Sequence, residues 1–316
     1  MKKKIKITPP KDITLDRGAD EFITYCEFKN LRPATIKFYN ATLEGYIYKV
    51  LDPKFPISEI TPSIIEDLIL YCKERNLKDV SINSMLRGVR AIFNYFMKLD
   101  YMDKFEITLP KQDTPIIETY TDAEIEILLK EPDKRKCTFS DYRDWAMCNF
   151  LLATGCRFKT IINVKIRDVD FDNNLITYRY TKNRKRQIVP LSSTLKHVLY
   201  KYLKVRDGKD DDYLFCGIYG DMLDEGSVSQ HLRFYNRKRG VMKTGIHRWR
   251  HTFAKKWILE GGDVFSLQTM LGHSSMEMVR RYVNMFSTDL SKTFSIYNPL
   301  DNMDVYKEKI TMRGRK

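Results

Sequence analysis

The 316-residue chain has only six cysteines, and no two of them form a C-x-x-C pair. Cys26, Cys72, Cys137, Cys148, Cys156 and Cys216 are too scattered for a zinc knuckle or a disulfide framework, so they read as reduced thiols, mostly in cores. A long apolar run is also missing. The opening Lys2-Lys3-Lys4-Ile5-Lys6 leads directly into Thr8-Pro9-Pro10, which excludes a signal peptide or a membrane span there and predicts a cytoplasmic protein. There are no internal repeats or low-complexity tracts. Acidic side chains are too few to balance the basic ones: the net charge is +14, which favours a polyanionic partner such as DNA, RNA or an acidic membrane.

What is present is enough apolar material, 43% of residues, for two cores of ordinary size. The expected fold is mainly α with a small antiparallel β-sheet. Residues 1–11 read as a basic tail and 12–107 as a helical domain. Residues 108–117, with two prolines and no periodic pattern, read as an extended linker. A mixed α+β domain follows over 118–300, and 301–316 is a second basic tail.

In the first domain the apolar spacing is helical and predicts helices from Ala19 to Lys29, Ala34 to Leu51, Pro62 to Arg75 and Ser81 to Leu99. Ser81 reads as the N-cap of the last, with Ile82, Met85, Leu86, Val89, Ile92, Phe93 and Phe96 as its buried stripe. Opposite lie Asn83, Arg87, Arg90 and Asn94. They form either a solvated face or a helix surface laid in a DNA major groove, where Arg pairs with guanine and Asn with adenine.

In the second domain, Thr121 and Glu124 form a capping-box pattern, and Tyr142 to Thr154 is an apolar helix ended by Gly155. From Asp168 to Leu191 the period changes to that of strands, with turns at Asp172-Asn173-Asn174 and at basic Asn183-Arg184-Lys185-Arg186. Helices resume near Thr194.

Chemistry concentrates near the C-terminus. Gly245-Ile246-His247-Arg248-Trp249-Arg250-His251-Thr252 is followed by Leu271-Gly272-His273 and, nine residues on, by Tyr282. His247 and Arg250 are three apart and share a helix face. Gly272 reads as a left-handed helix cap that holds His273 in a corner. Val279 and Val283 read as the anchors of the helix that carries Tyr282, with Arg280 and Arg281 available to phosphates. His247 and His251, four apart, also fit a zinc pair. The H-E-x-x-H glutamate is absent, however, and Arg248 stands in its place.

These motifs, together with Thr154-Gly155-Cys156-Arg157, resemble the tyrosine recombinase family of the phage-integrase type, in a compact two-domain, Xer-like or transposon-type layout. The resemblance covers roughly Ile13 to Pro299. It implies an N-terminal core-binding, SAM-like domain and a catalytic domain whose set is Arg157, Lys182, His247, Arg250, His273 and the nucleophile Tyr282. Lys182 follows from aligning Gln187 to Leu191 with the family's strand after its hairpin, and Lys185 is the runner-up. Trp249 stands at a usually aliphatic position. Thr160 stands where the family usually has an acidic residue, a departure that bears on how Arg157 is oriented.

The implied reaction is site-specific cleavage and rejoining of DNA through a 3′-phosphotyrosyl link, with no cofactor, metal or ATP. Two guanidiniums stabilise the charged phosphorane, His247 accepts the phenolic proton, and a hairpin lysine protonates the leaving 5′ oxygen. The implied partners are double-stranded DNA with inverted-repeat sites, a homotetramer on two sites, and accessory DNA-bending proteins; residues 285–299 read either as a segment that docks on a neighbouring subunit or as a helix packed within its own. No membrane partner is expected, and the setting is the nucleoid. Arg184 and Lys185 join the helix stripe as DNA-binding candidates. Three other functions fit in part: a catalytically silent DNA-binding factor of the same fold, a type IB topoisomerase and a metal-dependent nuclease.

Overall fold

A computed structural model describes residues 13–111, 118–181, 184–273, 275–286 and 298–299. The chain divides into two compact units, Met1–Pro115 and Ile116–Lys316.

The first unit is helical. Helix α1 (Leu15–Phe28) starts four residues before its apolar pattern does, because Thr14 bridges Pro56 and the Leu15 N–H donates to the Phe55 carbonyl. The predicted single helix from Ala34 to Leu51 is divided. α2 (Pro33–Thr42) runs into a π-helical turn, Leu43–Ile47, and then one turn of α3 (Tyr48–Val50). The wider turn brings both Leu43 and Ile47 into the core. α4 (Ser63–Glu74) and α5 (Asp79–Lys98) complete the unit.

Ser81 is not the cap of α5. The helix begins after Lys78, with Asp79 favourably placed at its positive end, and Ser81 lies in the first turn. The apolar stripe of α5 is buried as its spacing predicts. Its polar stripe loses a member, because Asn83 is only 3% exposed and its side-chain amide donates to the Pro110 carbonyl at 3.0 Å. A buried amide needs such a partner, and one so occupied is withdrawn from the solvent face that Arg87, Arg90 and Asn94 share.

In the second unit, capping boxes start α6 (Asp122–Leu129) at Thr121 and α7 (Phe139–Thr154) at Thr138, so that α7 begins at Phe139, three residues before its expected start at Tyr142. α7 is the central element of the core, with Trp145, Met147, Phe150 and Leu151 almost fully buried. A short α8 (Phe158–Ile161) leads to a three-stranded antiparallel sheet in sequence order: β1 (Val169–Asp170), β2 (Leu175–Tyr178) and β3 (Gln187–Pro190). Ile176 faces Val189 in the register, and both point into the core, while Leu175 and Ile188 point out. α9 (Ser193–Arg206), capped by Ser192, packs on α7. α10 (Glu225–Lys238), α11 (Ile246–Leu259), α12 (Val264–Leu271) and α13 (Met276–Phe286) follow. Phe253, Leu267, Leu271, Val279 and Tyr282 form a smaller core shared by α11, α12 and α13. No helix among the described residues is long and apolar enough to cross a membrane.

Candidate active site

Two glycines shape the site. α7 ends at Gly155 and α12 at Gly272, both left-handed (φ 58° and 60°), and a candidate side chain follows each within two residues. After Gly155 the chain turns extended and sets Arg157 at the head of α8. After Gly272 comes His273, 8% exposed.

Arg250 lies on α11, 6% exposed, and its guanidinium binds both corners at once. It donates to the Gly155 carbonyl at 3.0 Å and to the Leu271 carbonyl at 2.8 Å, and it meets His273 Nε2 at 2.6 Å. Arg157 donates from both terminal nitrogens to the Gly272 carbonyl, each at 3.3 Å. Among the described residues no carboxylate pairs with either arginine. Burial lowers the pKa of both; Arg250, further depressed by Arg157, comes to about 10. Thr160, at the usually acidic position, is buried in α8, and the contact that orients Arg157 is instead the Gly272 carbonyl.

Because a guanidinium can only donate, His273 Nε2 must accept from Arg250, which places the proton of the neutral ring on Nδ1. That Nδ1 is buried and has no hydrogen-bond partner among the described residues. Burial, then Arg250 and Arg157, hold the His273 pKa down at about 4, so the ring is neutral at pH 7. The site therefore gathers a buried N–H, the buried guanidinium of Arg250 and the half-buried one of Arg157, a donor set suited to an anionic oxygen.

Tyr282, on α13, is 6% exposed and stacks parallel to the His273 ring at 6.2 Å. Val279 is fully buried and Val283 packs beside it, so both anchor this helix as their spacing predicts. Burial raises the phenol's pKa, while the neighbouring guanidiniums of Arg250 and Arg157 act in the opposite sense. The imidazole against its hydroxyl is that of His251: Nδ1 lies 3.0 Å from Oη. His247, the acceptor expected from the motif, is exposed one turn nearer the start of α11 and lines a cleft with Glu118, Glu225 and Ser229. Its pKa is lowered by partial burial, then by Arg250 and Arg157, and raised by Glu225.

A second cleft joins Arg157 and His273 to the β2–β3 hairpin through Thr181, Lys185, Arg186 and Gln187. In the sequence Gln187 reads only as part of a strand. Its side chain donates to the Thr269 and Met270 carbonyls at 2.7 and 2.9 Å, tying the hairpin to the end of α12. Lys182 lies outside the described residues, as do 287–297, most of the expected docking segment. Lys185 is exposed, and its carbonyl accepts from the Thr181 hydroxyl at 2.6 Å. Arg184 is exposed with a left-handed backbone. Trp249 fills the core beneath, 4.5 Å from the Tyr120 ring. Among the described residues no three His, Cys, Asp or Glu side chains come together as a metal site.

The sequence and the fold both have relatives. The chain is 27% identical over 278 residues to tyrosine recombinase XerC of Staphylococcus aureus strain JH9 and 24% identical to that of strain COL, in each case covering 86% of this chain and 92% of the relative. Among solved structures it is similar to the Tn1549 transposon integrase in complex with transposon right end DNA, with a TM-score of 0.70, 20% identity, and coverage of 89% of this chain and 99% of that one. It is also similar to a lambda integrase dimer bound to a COC′ core site, with a TM-score of 0.68, 17% identity, and coverage of 84% and 97%. The model of the phage integrase SAM-like domain matches residues 19–111, and that of the phage integrase family matches 118–288, more than half of the chain. With Arg157, Arg250, His273 and Tyr282 gathered in one site, the chain is a member of the phage integrase family, the tyrosine recombinases.

Proposed function

We propose that this protein is a site-specific DNA recombinase that cuts and rejoins strands through Tyr282. Arg157 and Arg250 carry this reading: one guanidinium half-buried and one buried, both oriented by main-chain carbonyls rather than neutralised by acids, lie beside a buried phenol. An in-line attack on a phosphodiester gathers negative charge on the non-bridging oxygens, and preorganised donors stabilise that charge most where water is excluded. Arg157, Arg250 and His273 serve as those donors, and His247 faces the same phosphate from the rim. Tyr282 becomes esterified to the 3′ phosphate. The departing 5′ oxygen takes a proton from a hairpin lysine, Lys182 with Lys185 as the alternative. Attack by a different 5′ hydroxyl reverses the step and rejoins the strands. The bond energy stays in the ester, so no ATP is consumed.

DNA is the partner that the +14 charge fits. Arg87, Arg90 and Asn94 on α5, with Arg184 and Lys185 on the hairpin, are the proposed contacts. Asn83 supports the helix from within instead. A homotetramer on two inverted-repeat sites, with neighbours exchanging C-terminal segments and accessory proteins bending the DNA, completes the reading.

The test is covalent capture on duplexes nicked within a half-site. The expected result is a protein–DNA adduct that survives EDTA and is lost in Tyr282→Phe. Failure to form an adduct on any selected DNA, or relaxation of plasmid without sequence preference, would overturn it.

A further inference from the structure

We propose that His251 is the group that takes the phenolic proton of Tyr282 during attack and returns it during rejoining. This inference rests on the recombinase reading of the same site and reassigns one role within it.

An inventory of the phenol's surroundings leads there. Arg157 and Arg250 have no lone pair to offer. His273 Nε2 is already engaged by Arg250. Among the described residues, His251 Nδ1, at 3.0 Å from Oη, is the nitrogen within reach that can accept. The helix explains why the motif favoured the other histidine. His247 and His251 are four apart on α11, so they share a face but differ in depth by about 6 Å along the axis. His247 remains at the exposed rim, while His251 sits half-buried at the level where α13 crosses and presents Tyr282.

A base must be unprotonated before it acts. Burial first, then the nearby His247, Arg250 and Arg248, hold the His251 pKa down at about 4, so the ring is neutral at pH 7, and the tautomer with its hydrogen on Nε2 turns the Nδ1 lone pair toward the phenol. Arg248 is itself paired with Glu118 at 2.7 Å. A phosphodiester entering the site brings a negative charge that opposes those cations and raises the ring's proton affinity when it is needed. In the step, the Oη–H bond breaks and the proton passes to Nδ1 as the Oη–P bond forms. The P–O5′ bond breaks, and O5′ takes its proton from the hairpin lysine. Rejoining reverses each transfer.

The experiment uses the full chain and nicked duplexes that the wild-type protein itself selects by covalent capture from a randomised pool. If the wild type captures nothing, the recombinase reading falls and this inference falls with it. If it captures DNA, single-turnover cleavage is followed from pH 6 to 9 in wild type, His251→Gln and His247→Gln. Glutamine keeps an acceptor but no base. The expected result for His251→Gln is a loss of roughly 10²–10⁴-fold at pH 7. Its log rate should climb with pH at a slope near one, where wild type is flat. A merely structural role would lower the rate without tilting the profile. Should His251→Gln disturb folding, 3-fluorotyrosine at position 282 gives a second readout in each background. The more acidic phenol should restore much of the lost rate in His251→Gln and change wild type little. A flat profile in His251→Gln, the tilt appearing in His247→Gln instead, or no rescue by fluorotyrosine would overturn the assignment.

Discussion

Replacing Gly155 with alanine should damage both the stability of the catalytic unit and its chemistry, for reasons that can be separated. The left-handed backbone (φ 58°) costs an L-residue about 1–2 kcal/mol. The added Cβ would lie 2.4 Å from Phe253 Cδ1 and 2.9 Å from Leu271 Cδ2, both buried, and such overpacking costs about 1–3 kcal/mol. A combined loss of about 3 kcal/mol corresponds to a Tm lower by about 6–12 °C in a domain of this size. The displaced groups are also those that carry the site. Phe253 lies one turn beyond Arg250, Leu271 precedes the Gly272–His273 corner, and the Gly155 carbonyl itself receives Arg250. A shift of about 1 Å there should slow cleavage by about 10²-fold or more. Thermal unfolding and single-turnover cleavage measure the two effects. Combining Gly155→Ala with Phe253→Ala removes the collision but not the backbone strain, so the pair should couple favourably by about 1 kcal/mol or more in a double-mutant cycle. A Gly155→Ala protein with an unchanged Tm and rate would refute the whole account of the two glycine corners.

Arg250→Lys should fall by about 10²–10³-fold in cleavage rate, because an ammonium cannot serve two carbonyls, His273 and a phosphate together; a loss under threefold would contradict the role given to it. His251 and His273 bind protons less readily when folded than when unfolded, so their contribution to stability is complete above about pH 6.5 and is lost as pH falls toward 4. Each should cost about 1.4 kcal/mol per pH unit over that window. Urea unfolding at pH 7.5 and 5 should show that loss, and His273→Gln should reduce it; equal pH dependence in the two proteins would contradict the sign. Gln187→Ala removes two hydrogen bonds between the hairpin and α12 and should slow cleavage by about tenfold while leaving DNA affinity within about twofold, as read by gel shift and single turnover. DNA affinity should fall with salt at a log–log slope of roughly −7 if each protomer neutralises about eight phosphates, and a flat response would exclude a phosphate-tracking interface.

The clearest parts of the sequence were those in which one residue sets the local geometry. Gly155 and Gly272 end their helices as read, because few residues tolerate a left-handed cap. Arg157, Arg250, His273 and Tyr282 come together because each sits at a fixed offset from such a corner or on a helix packed against one. The four-helix pattern of the first unit was legible from its apolar period, but its interruptions were not: the π turn at Leu43–Ile47 leaves no mark on composition. Asn83 shared the period of Arg87, Arg90 and Asn94. Its burial depends on Pro110, twenty-seven residues away, which no helical wheel includes. His251 was visible only as half of a histidine pair. Depth along α11, set by where α13 crosses, decides which imidazole meets the phenol, and neighbour spacing carries no information about depth.

The main-chain tethers of Arg157 and Arg250 have a practical consequence. A carbonyl dipole orients a guanidinium without cancelling its charge, so the cradle remains attractive to any small tetrahedral oxyanion. Sulfate or inorganic phosphate in a storage buffer would compete for the place of the scissile group. The specific activity of this enzyme would then depend on its last dialysis, and orthovanadate, whose five-coordinate esters mimic the phosphorane, should be the most effective occupant.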